Sequence, residues 1–110
     1  AGAFPTWLAP VQVMIVPITD DNNNYAQKVL EQLKSAKIRA EVDDRSEKMQ
    51  AKIRDASMQK IPYVFVVGKR EAEAGAVAVR TRKGEDLGAQ PLDQVIAKLQ
   101  TEIETRSNLC

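Results

Sequence analysis

Apolar positions fall along this chain in two rhythms that take turns. Val11 to Ile18, reading VQVMIVPI, is almost unbroken apolar sequence and ends at the polar run TDDNNN. It predicts a buried strand, then a turn whose Asp and Asn residues suit the start of a helix. Ala26, Val29, Leu30, Leu33 and Ala36 recur at helical spacing and predict an amphipathic helix over about 22–36. IRAEV at 38–42 reads as a short strand and DDR at 43–45 as the turn after it. Met49, Ile53 and Ala56 form the stripe of a second helix, about 46–59, with Lys48 and Lys52 off that stripe. Ile61 to Val67 reads as a third strand, with Pro62 at its beginning where a missing N–H is tolerated. GKREAEAG reads as a turn into a fourth strand, AVAVRT, and a hairpin follows. Leu92, Val95, Ile96, Leu99 and Ile103 mark a last helix, with Pro91 suited to its first turn.

Strand and helix thus alternate before a hairpin and a final helix. The pattern predicts an α/β fold in three layers, with parallel strands joined by crossovers, helices on both faces and an added antiparallel pair. Residues 1–10, AGAFPTWLAP, hold two of the five prolines and the single tryptophan, which suits an extended entry segment. Residues 11–106 are then the folded domain and 107–110 a terminal tail.

Composition removes most chemistry. With 44% hydrophobic and 28% charged residues the balance is that of a soluble globular chain. No apolar run approaches the roughly 18 residues of a bilayer span, and the first residues lack the regions of a signal peptide, so a soluble, intracellular protein is expected, cytoplasmic or in an organelle matrix. Histidine is absent, which excludes Ser-His-Asp, Cys-His and His-ligated metal schemes. The single cysteine is the last residue, Cys110, placed for neither an internal disulfide nor a zinc cluster. Gly68-Lys69 follows a strand, but Tyr63 and Arg70 stand where a phosphate-binding loop needs glycine and Ser or Thr. Asp20 and Asp21 follow the first strand as a phosphoacceptor domain's acidic pair would, yet the third strand ends VVGK without the acceptor aspartate. No catalytic centre and no cofactor are expected.

A net charge of +1 gives no global case for nucleic acid, but the cations are unevenly spread. Alternation along a strand sets Ala76, Ala78, Arg80 and Arg82 on one face and Val77, Val79 and Thr81 on the other, with Arg80 and Arg82 roughly 7 Å apart. Between 45 and 60, Arg45, Lys48, Lys52, Arg54 and Lys60 face only Glu47 and Asp55, a local excess of +3. A basic helix beside projecting guanidinium groups suits phosphate and base contact. Glu71 adds selectivity. The Watson–Crick edge of guanine presents two adjacent N–H donors, and a carboxylate has two acceptor oxygens at matching separation. An arginine takes the O6 and N7 acceptors or a phosphate. Glu71 and Arg80 together are therefore candidates to select one base.

FPTWLAPVQV, DDRSEKMQAKIRDA, IPYVFVVGKRE and VAVRTRKGEDLG resemble, in order and spacing, the C-terminal anticodon-binding domain of threonyl-tRNA synthetases. The likeness runs from about Phe4 to about Ile103. It implies a mixed, mostly parallel five-stranded sheet with three helices, holding the anticodon loop of a threonine tRNA. It implies base contacts for Glu71 and Arg80, and contacts with anticodon nucleotides or nearby backbone for Lys48, Arg54 and Lys60, with Ser46 and Arg82 in the same set. Ser46 stands where asparagine is expected, and a hydroxyl does not copy an amide's paired donor and acceptor. Lys60 stands where arginine is common, a point charge for a planar fork. Gln50-Ala51 replaces a glycine-containing pair. The resemblance also implies a catalytic domain preceding residue 1, which would attach threonine to tRNA using ATP, and a homodimeric parent. Phe4, Trp7 and Leu8 would pack against that domain, or Trp7 would cover this domain's own core. The other reading is a protein-interaction or dimerisation module that keeps the fold without RNA.

Overall fold

The computed structural model describes residues 11–43, 48–59, 61–81 and 86–104. Phe4, Trp7, Leu8, Arg45, Ser46, Lys60 and Arg82 lie outside them, as do the proposed entry segment and tail. The elements in chain order are β1 (Val13–Pro17), a 3-10 turn (Asp20–Asn22), α1 (Asn23–Ser35), β2 (Ala40–Val42), α2 (Met49–Met58), β3 (Tyr63–Val67), α3 (Lys69–Ala74), β4 (Ala76–Thr81), β5 (Asp86–Pro91) and α4 (Leu92–Glu104). The strands form one sheet in the order β2-β1-β3-β4-β5. β1 pairs parallel with β2 and β3; β3–β4 and β4–β5 are antiparallel.

The two-residue period of the strands sorts the core. Val13, Ile15, Phe65, Val67, Val77 and Val79 face one side and pack with Ala26, Val29 and Leu33 of α1 and Leu92, Val95 and Leu99 of α4. Met14, Val16, Val64 and Val66 face the other and lie under Ala56, Met49 and Ile53 of α2, joined by Ala78. The expected three-layer α/β fold with a mixed five-stranded sheet is therefore present. Phe65 is fully buried, and burying such a ring contributes about 1.5–3 kcal/mol. Buried Gln12 fastens the β1–β2 edge: its Oε1 accepts from the Arg39 N–H at 2.8 Å, and its own N–H donates to the Arg39 carbonyl at 2.7 Å.

The helix count differs from the three expected, because GKREAEAG is not a turn. Six of its residues form α3, making four α-helices among the described residues. The Gly68 N–H donates to Glu71 Oε1 at 2.8 Å, and Gly75 ends the helix in the left-handed region at φ 65°. A carboxylate returning to the amide ahead of its own helix satisfies a donor that has no intrahelical partner. α3 buries no residue, so no apolar stripe announces it.

Candidate nucleic-acid interface

The interface is built from the face of the sheet that carries α2. β4 sends Val77 and Val79 into the α1–α4 core, so Ala78 and Arg80 come out on the α2 side. α2 lies over residues of β1 and β3. Towards β5 the surface is floored by small side chains: half-buried Ala78 of β4 is opposite exposed Ala89 of β5. Arg80 stands opposite Val64 on one side and Asp86 on the other. Its Nη2 is 3.7 Å from Asp86 Oδ2, and the side chain keeps 38% of its surface exposed.

The cations of α2 divide. Lys48, just before the helix, and Arg54 within it are exposed. Lys52 is buried, at 4% exposure, with Nζ donating to the Pro17 carbonyl at 3.5 Å. This corrects the reading that set Lys52 off the stripe among the free cations. Position 52 is three residues after Met49 and four before Ala56, so it shares their side of the helix. Its aliphatic stem runs into the core and brings the ammonium to the carboxyl end of β1.

Glu71 and Arg80 are at opposite ends of β4. α3 leads into the start of the strand at Ala76, and Arg80 lies four residues on, about 13 Å of strand. Glu71 is half-buried, with Oε1 held by the Gly68 N–H. Its charge reaches Tyr25 of α1, whose hydroxyl donates to the Ala76 carbonyl at 2.7 Å. Burial, and after it the Glu71 carboxylate, raise the Tyr25 pKa above its ordinary 10.0. The same end of the sheet carries a groove of about 650 Å³ lined by Ile18, Thr19, Asn22, Gly68, Lys69 and Glu73. Among the described residues no group of three His, Cys, Asp or Glu is gathered to hold a metal ion. None of the described helices is long and apolar enough to cross a membrane.

Sequence reasoning missed one residue of this surface, Asp86. Its signal is the spacing Asp86-Leu87-Gly88, an aspartate two residues before a glycine, which suits a side chain bonding the backbone two positions on. Asp86 Oδ1 does accept from the Gly88 N–H, at 2.9 Å. What the spacing does not reveal is that Arg80 lies across from it.

The model of a family described as the anticodon binding domain matches residues 12–102. The threonine–tRNA ligase of Chloroherpeton thalassium is 57% identical over 106 residues, covering 96% of this chain and 16% of the relative. That of Acidobacterium capsulatum is 56% identical over 107 residues, covering 97% and 16%. The chain thus spans about a sixth of the length of these relatives. Among solved structures, the RNA binding domain of threonyl-tRNA synthetase from Cryptosporidium parvum Iowa II superimposes with a TM-score of 0.86 at 27% identity, over 91% of this chain and 25% of that one. A prolyl-tRNA synthetase from Cryptosporidium parvum gives 0.76 at 26% identity, over 94% and 24%.

Proposed function

Because the chain belongs to the anticodon binding domain family, and the relatives above are threonine–tRNA ligases, we propose that it reads the anticodon loop of a threonine tRNA. In the longer protein a separate catalytic domain attaches threonine to that tRNA. The observation that carries the reading is the emergence of Arg80 over a floor of alanines, on the side of the sheet covered by α2, which carries exposed Arg54. A flat, small-residue floor leaves room for an unstacked base, and flanking cations hold the phosphates that position it.

In this reading Lys48 and Arg54 supply phosphate contacts, joined by Lys60, Arg82 and Ser46. Arg80 takes acceptor atoms of a base from one end of β4. Glu71 takes donors from the other end, so the two grip different edges of a stretched nucleotide. The bond from the Gly68 N–H occupies one acceptor site of a carboxylate that has about four, so it fixes the direction of Glu71 and leaves acceptors for a base.

The test is titration of the chain with a threonine anticodon stem–loop and with one carrying a changed middle base. The expected result is tighter binding of the first, weakening steeply as salt rises. Equal binding of both loops, or self-association indifferent to salt, overturns the reading.

A further inference from the structure

A carboxylate on an RNA-binding face repels phosphate, so Asp86 opposite Arg80 asks for a physical reason. The local backbone is shaped around it. Along β4–β5 the pairing runs Ala76–Pro91, Val77–Gln90, Ala78–Ala89 and Val79–Gly88, then skips Leu87 so that Arg80 meets Asp86. Gly88 adopts φ 77°, a left-handed conformation that L side chains rarely take, and this accommodates the extra residue. The carboxylate is fixed from both sides, with Oδ1 bonded to the Gly88 N–H at 2.9 Å and Oδ2 3.7 Å from Arg80 Nη2. Leu87, the skipped residue, is left 47% exposed.

So exposed an ion pair adds little to stability. Its consequence is orientation. Beneath Arg80 the floor is Ala78 and Ala89, whose methyl side chains offer the guanidinium no acceptor. A long side chain without a partner sweeps many rotamers and meets any phosphate it reaches. Paired with a carboxylate that is itself anchored, it keeps one direction and presents less net positive charge.

We infer that Asp86 is a positioning residue that aims Arg80 across the alanine floor and makes the surface selective at the expense of indiscriminate affinity. The inference rests on the proposed reading of this face as the anticodon contact. Asp86→Asn separates the hydrogen bond from the ion pair, because the amide oxygen still accepts from the Gly88 N–H while the charge on Arg80's partner is gone.

Binding of the matched stem–loop and the changed-base stem–loop is measured at low salt for the parent chain, Asp86→Asn, Arg80→Ala and the double variant. Asp86→Asn is expected to leave matched binding within about twofold, to tighten changed-base binding by about threefold, and to keep the melting temperature unchanged, the size an exposed pair allows. On the Arg80→Ala background the same change should leave the ratio of the two affinities where it was. An unaltered ratio in Asp86→Asn, an equal loss for both loops, or an effect that persists without Arg80 overturns the inference while leaving the anticodon reading intact. A parent chain that binds neither loop sinks both.

Discussion

Tyr25 shows how one side chain couples the core to the rim of the candidate interface. Its ring packs beside the α1–α4 core, while its hydroxyl donates to the Ala76 carbonyl, where α3 hands over to β4. Tyr25→Phe removes that donor and leaves a carbonyl short of a partner, which costs about 1 kcal/mol at neutral pH. Its titration has a definite sign. In the folded chain burial, and then the charge of Glu71, hold the hydroxyl protonated above its ordinary 10.0, whereas in the unfolded chain it ionises near that value. Above that pH the unfolded state carries fewer protons than the folded one, so stability falls as pH rises. The contribution is complete below pH 10.0 and is lost as pH climbs through the raised folded value. Denaturant titrations at a series of pH values from neutral upward should therefore show a smaller alkaline loss in Tyr25→Phe than in the parent chain. Equal slopes would mean that Tyr25 titrates alike in both states.

Lys52 makes the complementary point about charge at this scale. A count of cations between 45 and 60 treats it as equal to Lys48, yet one is buried with a single carbonyl contact and the other is exposed. Only the exposed one is placed to meet phosphate.

At the scale of elements, the end of α1 is where sequence and geometry disagree most sharply. The helix closes in the arrangement usually given to glycine: Lys37 takes φ 64°, its N–H donates to the Lys34 carbonyl at 2.9 Å, and the Ile38 N–H donates to the Leu33 carbonyl at 2.9 Å. A side chain in that conformation costs roughly 1 kcal/mol. Lys37→Gly should relieve the strain and raise stability by about 1 kcal/mol, less the entropy that glycine adds to the unfolded chain. An unchanged or lower denaturation midpoint would show that the lysine side chain contributes as much as its conformation costs.

The other elements were legible to the degree that they bury a periodic stripe. β1, β3, α1 and α4 do so, and the sequence places them within two residues of where they lie. α3 buries nothing, so only its two bracketing glycines and Glu71 mark it, and a six-residue stretch rich in charge reads as a turn. The candidate site divides the same way. Strand alternation alone assigns Val77 and Val79 to the core and Arg80 to the other face. The pairing of Arg80 with Asp86 depends on a skipped residue in the ladder: the hairpin names the neighbouring strand, but no local pattern encodes the shifted register. The separation of Glu71 from Arg80 along β4 is likewise a matter of topology, since nine residues of sequence fold back through α3.

For the whole molecule, the sheet order leaves its two halves unlike. The parallel half, β2-β1-β3, continues into an antiparallel half, β4–β5, whose outer strand has no fully buried residue. On the α2 side the cations therefore gather around a helix that covers the parallel half, while Arg80 and Asp86 occupy the floor of the antiparallel half. Affinity and selectivity should then reside in different places, and salt can tell them apart. Contacts with phosphate release counterions, so each one adds to the dependence of binding on salt, whereas a base contact changes the ranking of sequences. Lys48→Ala is expected to weaken matched and changed-base stem–loops alike and to lower the salt slope by about one unit. Arg80→Ala is expected to cost about 1–3 kcal/mol on the matched loop and to narrow the gap between the two loops. Binding isotherms for both loops over a range of salt concentrations measure slope and gap together. If Lys48→Ala narrows the gap, or Arg80→Ala lowers only the slope, the two halves of the sheet do not divide the work in this way, and Arg80 is one more phosphate contact.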